Sequence, residues 1–311
     1  MKIKKKPMIV IVVLILLIPA ILMGINVYRD YQYHQTIEFK LLTVGYSLED
    51  IKILEEKLPK EKLEALIDEE HNEHLVGIVR EKYFLLRNLD RYLEFRNDNL
   101  NMSYSEIIAL VNVNANHEWY EYELVADLSK GNLMLVNKFF KLEDDFMPDD
   151  IVNISSRFAY EGHSVKQNVL DAFIDMQSAA DEAGLRIIIN FGFRTHAEQQ
   201  RLWDREFNLR GRTSADSLVA RPGHSEHQTG LAIDIARTFC SEDFSLTEEY
   251  QWLLANAYKF GFILRYPDGK QHITGFRFEP WHWRYVGQEN AERIFNTGLT
   301  FDEYYAFYIQ K

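Results

Sequence analysis

The N-terminal run from Met8 to Tyr28 constrains the chain most, because no side chain in it is charged. About 20 apolar residues, at a rise of about 1.5 Å each, cross a hydrocarbon core of about 30 Å. The flank before this run is basic, with Lys2, Lys4, Lys5 and Lys6. Since a basic flank stays in the cytoplasm, we predict a cytoplasmic tail (1–7), a transmembrane anchor (8–28) and an extracytoplasmic remainder.

A removable signal peptide is the alternative for this run. Signal peptides have a shorter apolar region, which ends in small residues before a cleavage site. Here the run ends in Met23-Gly24-Ile25-Asn26-Val27-Tyr28, without an A-x-A pattern. The sequence therefore favours an uncleaved anchor, with a single pass through the cell membrane and everything after Tyr28 outside.

Composition favours a folded ectodomain. A hydrophobic fraction of 47% is enough for a core, and 311 residues allow about two soluble domains beside the anchor. The net charge of −12 argues against binding to nucleic acid or to anionic lipid head groups. Because Cys240 is the only cysteine, an intramolecular disulfide and a thiolate zinc cage are both excluded.

Residues 29–130 are polar-rich with helical spacing, and they carry no recognisable chemistry. Ser47-Leu-Glu-Asp50 fits a capping box, in which a serine and a later carboxylate each accept from the other's backbone N–H. We interpret this region as a helical stalk or a small interaction domain.

The pattern changes in residues 131–311, where helices and strands are mixed. Val165, Val169, Phe173, Met176 and Ala180 mark one face of a helix that ends at Gly184. Further elements are predicted as a strand over 185–191, a helix from about His196, a strand over 230–236, a helix over 247–260 and a strand over 262–266. The strands are too few and too irregularly spaced for a doubly wound sheet, so we predict the α+β class.

The first motif is Ser225-Glu-His-Gln-Thr-Gly-Leu-Ala-Ile-Asp234. A catalytic zinc needs three ligands from histidine and carboxylate, and His227 and Asp234 offer one of each. Asp234 lies between two isoleucines of an apolar strand, where a carboxylate is costly unless a positive charge neutralises it. A metal would do so, although pairing with an arginine is an alternative.

The second motif is Glu279-Pro-Trp-His-Trp-Arg284, which offers His282 as a third ligand and Glu279 as a general base. Strand residues three apart face opposite sides, so both side chains can share a site only if the backbone bends near Pro280. Alone, this hexapeptide could equally be an aromatic and charged sheet edge.

The third motif is Gly192-Phe-Arg-Thr-His-Ala-Glu-Gln199. Arg194 stands just before a helix start and Gln199 lies in its first turn. Helix N-termini attract anions, and an arginine there can hold a carboxylate through two parallel bonds. An ordinary structural salt bridge is the alternative for Arg194.

Together, Ser225-x-His227-x-x-Gly230-x-Ala232-x-Asp234 and Glu279-Pro-Trp-His282 resemble the zinc D-alanyl-D-alanine carboxypeptidases of the VanY-like and LdcB-like type. The resemblance runs from about Leu135 to Gly287. It implies a compact α+β peptidase domain in which zinc lies on an antiparallel sheet. It further implies an extracytoplasmic peptidoglycan substrate.

The resemblance also implies roles for individual residues. The metal ligands would be His227, Asp234 and His282, and the catalytic base would be Glu279. Arg194 and Gln199 would hold the terminal carboxylate of the substrate, with Ser225 as a further contact. The expected function is a membrane-anchored zinc carboxypeptidase that removes a C-terminal D-alanine from peptidoglycan stem peptides. An endopeptidase of wall cross-links and an inactive wall-binding module are the alternatives.

One element departs from the family pattern. The usual S-G-Y-R-S appears as Phe191-Gly-Phe-Arg-Thr195, so two hydroxyl groups are absent. Both groups could contact substrate, and the sequence therefore leaves the choice between D,D- and L,D-carboxypeptidase open.

Overall fold

The computed structural model describes residues 6–160, 162–237 and 243–310, with residues 6–16 described by their backbone alone. The chain forms two compact units, Met1–Ser105 and Glu106–Lys311. The anchor predicted at 8–28 lies on the first helix, but the side chains of residues 8–16 are outside the described part. Among the residues described, no helix combines the length and apolar character needed to cross a bilayer.

The regular structure described in the first unit is helical. A capping box at Ser47 and Asp50 starts its third helix, which buries Ile51 and Leu54. The helices run over α1 Lys6–His34, α2 Ile37–Val44, α3 Leu48–Lys57, α4 Lys60–Ala65, α5 Glu73–Arg80 and α6 Leu89–Asp98, and α7, Tyr104–Asn112, begins at the end of this unit.

The second unit mixes helices with short strands. Its strands are β1 Leu124–Val125, β2 Phe140–Lys141, β3 Ile151–Asn153, β4 Ser164–Lys166, β5 Ile187–Phe191, β6 Ala232–Arg237, β7 Phe262–Leu264 and β8 His282–Tyr285. Its helices are α8 Gln167–Glu182, α9 His196–Arg210, α10 Arg212–Leu218, α11 Glu248–Asn256, α12 Gln271–Thr274, α13 Gln288–Thr297 and α14 Phe301–Tyr304. It also contains short 3₁₀ turns at Leu128–Leu133, Glu226–Thr229, Phe244–Leu246 and Ala257–Phe260 and a π turn at Tyr305–Ile309.

A four-stranded antiparallel sheet in the order β5-β6-β8-β7 organises the second unit. Two smaller pairs accompany it, β1 with β2 in parallel and β3 with β4 in antiparallel. The predicted mixture of helices with an antiparallel sheet is therefore confirmed. In the central pair, Ile233 lies opposite Trp283 and Asp234 lies opposite His282.

The sheet has one apolar face, against which α8 packs. Val169, Phe173, Met176 and Ala180 of this helix are buried in the same cluster as the isoleucines of β5 and β6. Full burial of such a side chain contributes about 1.5–3 kcal/mol. Since side chains alternate along a strand, Ile233 and Ile235 face this core and Asp234 faces the opposite side.

The helix predicted to carry Val165 begins later than expected. Val165 belongs to β4. Lys166, the last residue of this strand, still has extended backbone angles, and α8 begins at the next residue. Val165 is nevertheless fully buried in the same core. The predicted helix start was too early because Val165 contributes to the same core from β4, the strand directly before α8.

Candidate metal centre

Three side chains from separate segments converge on the polar side of the sheet. Asp234 lies on β6, His282 opens β8 directly opposite it, and His227 lies in the 3₁₀ turn before β6. One potential ligand atom from each residue lies within 4.8 Å of the others. Nε2 of His227 and Nδ1 of His282 are 3.5 Å and 3.3 Å from Oδ1 of Asp234.

A backbone hydrogen bond fixes the ring of His227. Its Nδ1 is 2.8 Å from the carbonyl oxygen of Gly192, so Nδ1–H donates there and Nε2 is left free to face Asp234. Gly192 also packs closely against β4, because a Cβ at this position would come 2.3 Å from the carbonyl oxygen of Ser164. The carbonyl group of Gly192, in the third motif, thus orients the ring of His227, in the first motif.

The turn that carries His227 ends at Gly230, which has a left-handed φ of 69°. A Cβ there would lie 2.6 Å from a methyl carbon of Ile151. Both constraints favour glycine, since other residues rarely adopt this conformation. Gly230 therefore lets the turn pack closely against Ile151 of β3 and Lys166 of β4.

The arrangement fits a divalent metal. Oδ1 of Asp234 is buried and has no hydrogen-bond partner within the described chain, although buried carboxylates are normally paired. Two imidazole nitrogens and one carboxylate oxygen are the protein ligands that a catalytic zinc takes, with one position left open.

Burial and neighbouring charges shift the pKa values of the three residues in this cluster. Burial alone would lower the pKa of His282, but Asp234 and Glu226 beside its ring raise that pKa to about 9. Burial lowers the pKa of His227, which is therefore available as a neutral ligand. The two histidines hold the pKa of Asp234 well below its usual range despite its burial.

Glu279 lies beside the three residues as a buried carboxylate. Its Oε2 is 3.8 Å from Nδ1 of His282. Burial, with a smaller contribution from the charge of Asp234, raises the pKa of Glu279 to about 7. A carboxylate with such a pKa can both accept and release a proton near neutral pH.

Arg194 and Gln199 form a hydrogen-bonded pair at the start of α9. Arg194 Nη1 donates to Oε1 of Gln199 at 2.9 Å, and Gln199 Nε2 donates to the carbonyl oxygen of Ala220 at 2.7 Å. The guanidinium also stacks 4.0 Å above the ring of Phe191. A capping box of Thr195 and Glu198 starts α9 at His196, the residue from which the sequence predicted this helix.

All seven residues predicted for the site open onto one cleft of about 150 Å³. The cleft brings the metal cluster, Glu279 and the arginine pair within one substrate-sized space. It is lined by Arg194, Gln199, Leu202, Leu218, Val219, Ala220, Ser225, Glu226, His227, Asp234, Tyr266, Phe276, Glu279, Trp281 and His282.

Sequence reasoning missed several members of this wall. Glu226, Tyr266 and Phe276 were not singled out, and Glu226 is only 1% exposed. A charged residue directly before a metal-ligand histidine was the available signal for Glu226. Phe191, which takes the place of a hydroxyl residue in the family pattern, supports the guanidinium of Arg194 and touches the ring of His227 edge-on.

Comparison with known proteins agrees with this geometry. Residues 162–288 match the family model described as "VanY: D-alanyl-D-alanine carboxypeptidase". The chain is 39% identical over 181 residues to YodJ of Bacillus subtilis strain 168, a protein named as a carboxypeptidase. It is 44% identical over 139 residues to a D-alanyl-D-alanine carboxypeptidase of Enterococcus faecalis.

These alignments cover 56% and 42% of this chain, and 66% and 51% of the two curated relatives. The chain thus spans about half to two thirds of their length. Among solved structures, the LdcB LD-carboxypeptidase superposes with a TM-score of 0.56 at 36% identity. That match covers 60% of this chain and 90% of LdcB.

Proposed function

Because the chain belongs to the VanY family of D-alanyl-D-alanine carboxypeptidases, we propose that it is a zinc carboxypeptidase that removes a C-terminal D-alanine from peptidoglycan stem peptides. The observation that carries this proposal is the shared cleft, in which a half-buried arginine lies with a two-histidine, one-aspartate cluster and a buried glutamate. A metal cluster alone would support many hydrolases. The arginine adds a means to recognise a chain end.

Arg194 suits a terminal carboxylate for electrostatic reasons. Burial lowers its pKa, and the charges of Asp234, Glu198 and Glu279 oppose that effect and help to keep it positive. A guanidinium in a desolvated cleft forms short, charge-assisted hydrogen bonds with a carboxylate. Gln199 holds the guanidinium through Oε1 and is itself tied to the backbone at Ala220. The pair is therefore oriented before substrate arrives.

His227, Asp234 and His282 would hold the zinc. Bound there, zinc supplies a polarised scissile carbonyl and a water of lowered pKa. Glu279 accepts the proton of the attacking water as the new C–O bond forms. It then donates that proton to the leaving amine of D-alanine as the C–N bond breaks. The raised pKa of Glu279, about 7, suits both transfers.

The family model and the solved relative point to two related substrates. The description of the family model names a D-alanyl-D-alanine carboxypeptidase, and LdcB is an LD-carboxypeptidase. A pentapeptide stem presents D-alanine after D-alanine, and a tetrapeptide stem presents it after an L-centre. Both therefore belong in the substrate panel. The proposal includes attachment to the cell membrane through residues 8–28, with the peptidase outside, as the charge pattern of the N-terminus indicates.

The test is mass spectrometry of synthetic stem peptides incubated with the purified full-length chain. Peptides ending in one or in two D-alanines are compared, with and without a chelator. We expect chelator-sensitive loss of a single D-alanine, and the peptide that is trimmed defines the specificity. Intact stem peptides in the presence of bound zinc, together with cleavage of cross-linked dimers, would identify an endopeptidase instead. No cleavage of either substrate would identify a wall-binding module.

A further inference from the structure

A buried carboxylate, that of Glu226, lies directly behind one of the metal ligands. Its Oε1 accepts hydrogen bonds from Nε of Arg265 at 2.7 Å and from Nη1 of Arg284 at 2.8 Å. All three side chains have 0% exposure. Two guanidinium groups thus occupy one oxygen of this carboxylate and leave the other oxygen for a different partner.

The other oxygen faces the metal-ligand histidine. Oε2 of Glu226 is 3.5 Å from Nε2 of His282, while Nδ1 of the same ring is 3.3 Å from Asp234. Within the residues that the structure describes, neither Oε2 nor Nε2 has a hydrogen-bond partner, and each is the polar atom that the other faces. Nδ1 can bind a metal only when the ring is neutral and its proton is on Nε2. Oε2 of Glu226 therefore needs a hydrogen-bond donor, and Nε2 of His282 in this tautomer needs an acceptor.

We propose that Glu226 is a positioning residue that fixes His282 as an Nδ1 ligand by accepting the proton on Nε2. This inference rests on the proposed metal centre and extends it beyond the ligands. Groups that hydrogen-bond to the second nitrogen of a ligand histidine set its tautomer and its orientation. The turn Glu226–Thr229 therefore carries one ligand, His227, and the group that orients another.

The two arginines are themselves anchored from other parts of the unit. Arg265 donates to Asp302 through Nη1 at 2.5 Å and through Nη2 at 3.1 Å. Arg284 Nη2 donates to the carbonyl oxygen of Met134 at 2.7 Å. Each guanidinium thus has hydrogen-bond acceptors other than Glu226. The two positive and two negative charges balance, as a buried network requires.

This anchoring makes Glu226→Gln a sharp test. Both arginines present only donors, so the amide oxygen of the glutamine must face them. The amide NH₂ group then faces Nε2 of His282 and requires that nitrogen to accept. The proton of the neutral ring moves to Nδ1, which can no longer bind metal. The substitution therefore favours the wrong tautomer at almost constant volume.

Asp302→Asn is the matched control. It also removes one negative charge from the partners of Arg265, but Asp302 has no contact with His282 among its hydrogen bonds and ion pairs. A purely structural role for Glu226 predicts similar losses of thermal stability in both variants and no specific effect on metal binding. A role through His282 predicts weaker metal binding in Glu226→Gln alone.

The measurement is competition for zinc between the full-length metal-free protein and a chromophoric chelator. We expect the zinc Kd of Glu226→Gln to rise about 10- to 100-fold, and that of Asp302→Asn to stay within about 3-fold of the wild type. Equal zinc affinity in all three proteins overturns the inference. So does an equal loss of affinity in both variants, because that loss would come from the charge network.

A second variant and a separate activity assay complete the test. If Glu226→Gln gives no cooperative thermal unfolding, Glu226→Asp takes its place, since it keeps the charge but withdraws Oε2 from His282; it should weaken zinc binding in the same range. Zinc affinity is measured without substrate, so it is independent of peptidase activity. Weak binding in the variant with an inactive wild type would reject the proposed function and leave this inference standing.

Discussion

The backbone N–H of His282 donates a hydrogen bond of 3.1 Å to the carbonyl oxygen of Glu279. This bond closes a turn over Pro280 and Trp281 just before β8. Two side chains three residues apart, which a straight strand would place on opposite sides, consequently meet with 3.8 Å between Oε2 and Nδ1. The bend that the sequence required near Pro280 is present.

Replacement of Glu279 by glutamine should abolish turnover without loss of metal. An amide cannot accept the proton of the attacking water, and loss of a general base typically costs 10²- to 10⁴-fold in rate. The check is the rate of D-alanine release together with the zinc content by elemental analysis. Glu289→Gln, in an exposed ion pair with Arg293, is the control and should leave the rate unchanged. Full activity of Glu279→Gln would remove the residue from the reaction.

Replacement of Trp283 by phenylalanine should loosen the same turn. The indole N–H of Trp283 donates to the carbonyl oxygen of Pro280 at 3.0 Å, and its side chain is 2% exposed. Loss of this bond and of ring volume should cost about 1–3 kcal/mol of unfolding free energy. We also expect a lower kcat, because Glu279 and His282 flank the turn.

Denaturant unfolding and steady-state kinetics measure both effects. The control is Trp252→Phe, in which the replaced ring is half-buried and stacks on Phe260 away from the cleft. It should lose less stability and keep its kcat. A Trp283→Phe variant with wild-type kcat would show that the turn holds its shape without the indole bond.

Arg194→Ala should weaken binding of peptides that have a free C-terminus. Loss of a charged anchor in a desolvated cleft costs about 2 kcal/mol, which corresponds to a fall in kcat/KM of about 30-fold. The decisive comparison uses the same peptide with a C-terminal carboxylate and with a C-terminal amide.

The wild type should discriminate strongly between these two peptides, and Arg194→Ala should not. Arg201→Ala, an exposed position on the same helix, is the control. Equal loss on the acid and the amide would mean that Arg194 serves the fold of the cleft and does not recognise the chain end.

Stability of the metal-free protein should decrease as pH rises through the titration of His282. The pKa of this ring is raised to about 9, above its unfolded value near 6.5, so the folded state binds more protons in that window. Its contribution is complete below pH 6.5 and is lost toward pH 9, at up to about 1.4 kcal/mol for each pH unit.

Thermal unfolding of chelator-treated protein at pH 6, 7.5 and 9 measures this loss. Zinc replaces the proton on His282, so the zinc-loaded protein should lack this part of the pH dependence. His282→Gln should lack it as well. A metal-free protein whose melting temperature is constant or rises over this range, and matches His282→Gln, would contradict the assignment.

Local patterns in the sequence predicted the elements that depend on neighbouring residues. The helix predicted from about His196 is α9, which begins at that residue behind a capping box of Thr195 and Glu198. The alternation of Ile233, Asp234 and Ile235 predicted a strand with one polar side chain, and β6 is such a strand. These features arise from backbone capping and from burial, both of which act over a few residues.

Features that depend on distant pairing could not be derived in this way. The position of β8 between β6 and β7 follows from hydrogen bonds that join separate segments, which no local spacing encodes. The environment of Glu226 is a second case. Its two guanidinium partners lie 39 and 58 residues further along the chain, and the sequence gives no reason to pair these three charges.

Asp302 neutralises a buried arginine that precedes it in the chain, so the charge balance of the core depends on a residue near the C-terminal end. Arg265 and Arg284 precede Asp302 in the chain and share Glu226 as a partner, and Asp302 pairs with Arg265. A chain that stops before Asp302 therefore has two buried guanidinium charges and only one buried carboxylate to balance them. An unpaired buried charge costs about 3–5 kcal/mol, a large part of the stability of an ordinary domain. A chain that ends before Asp302 should therefore be less stable than the full-length chain.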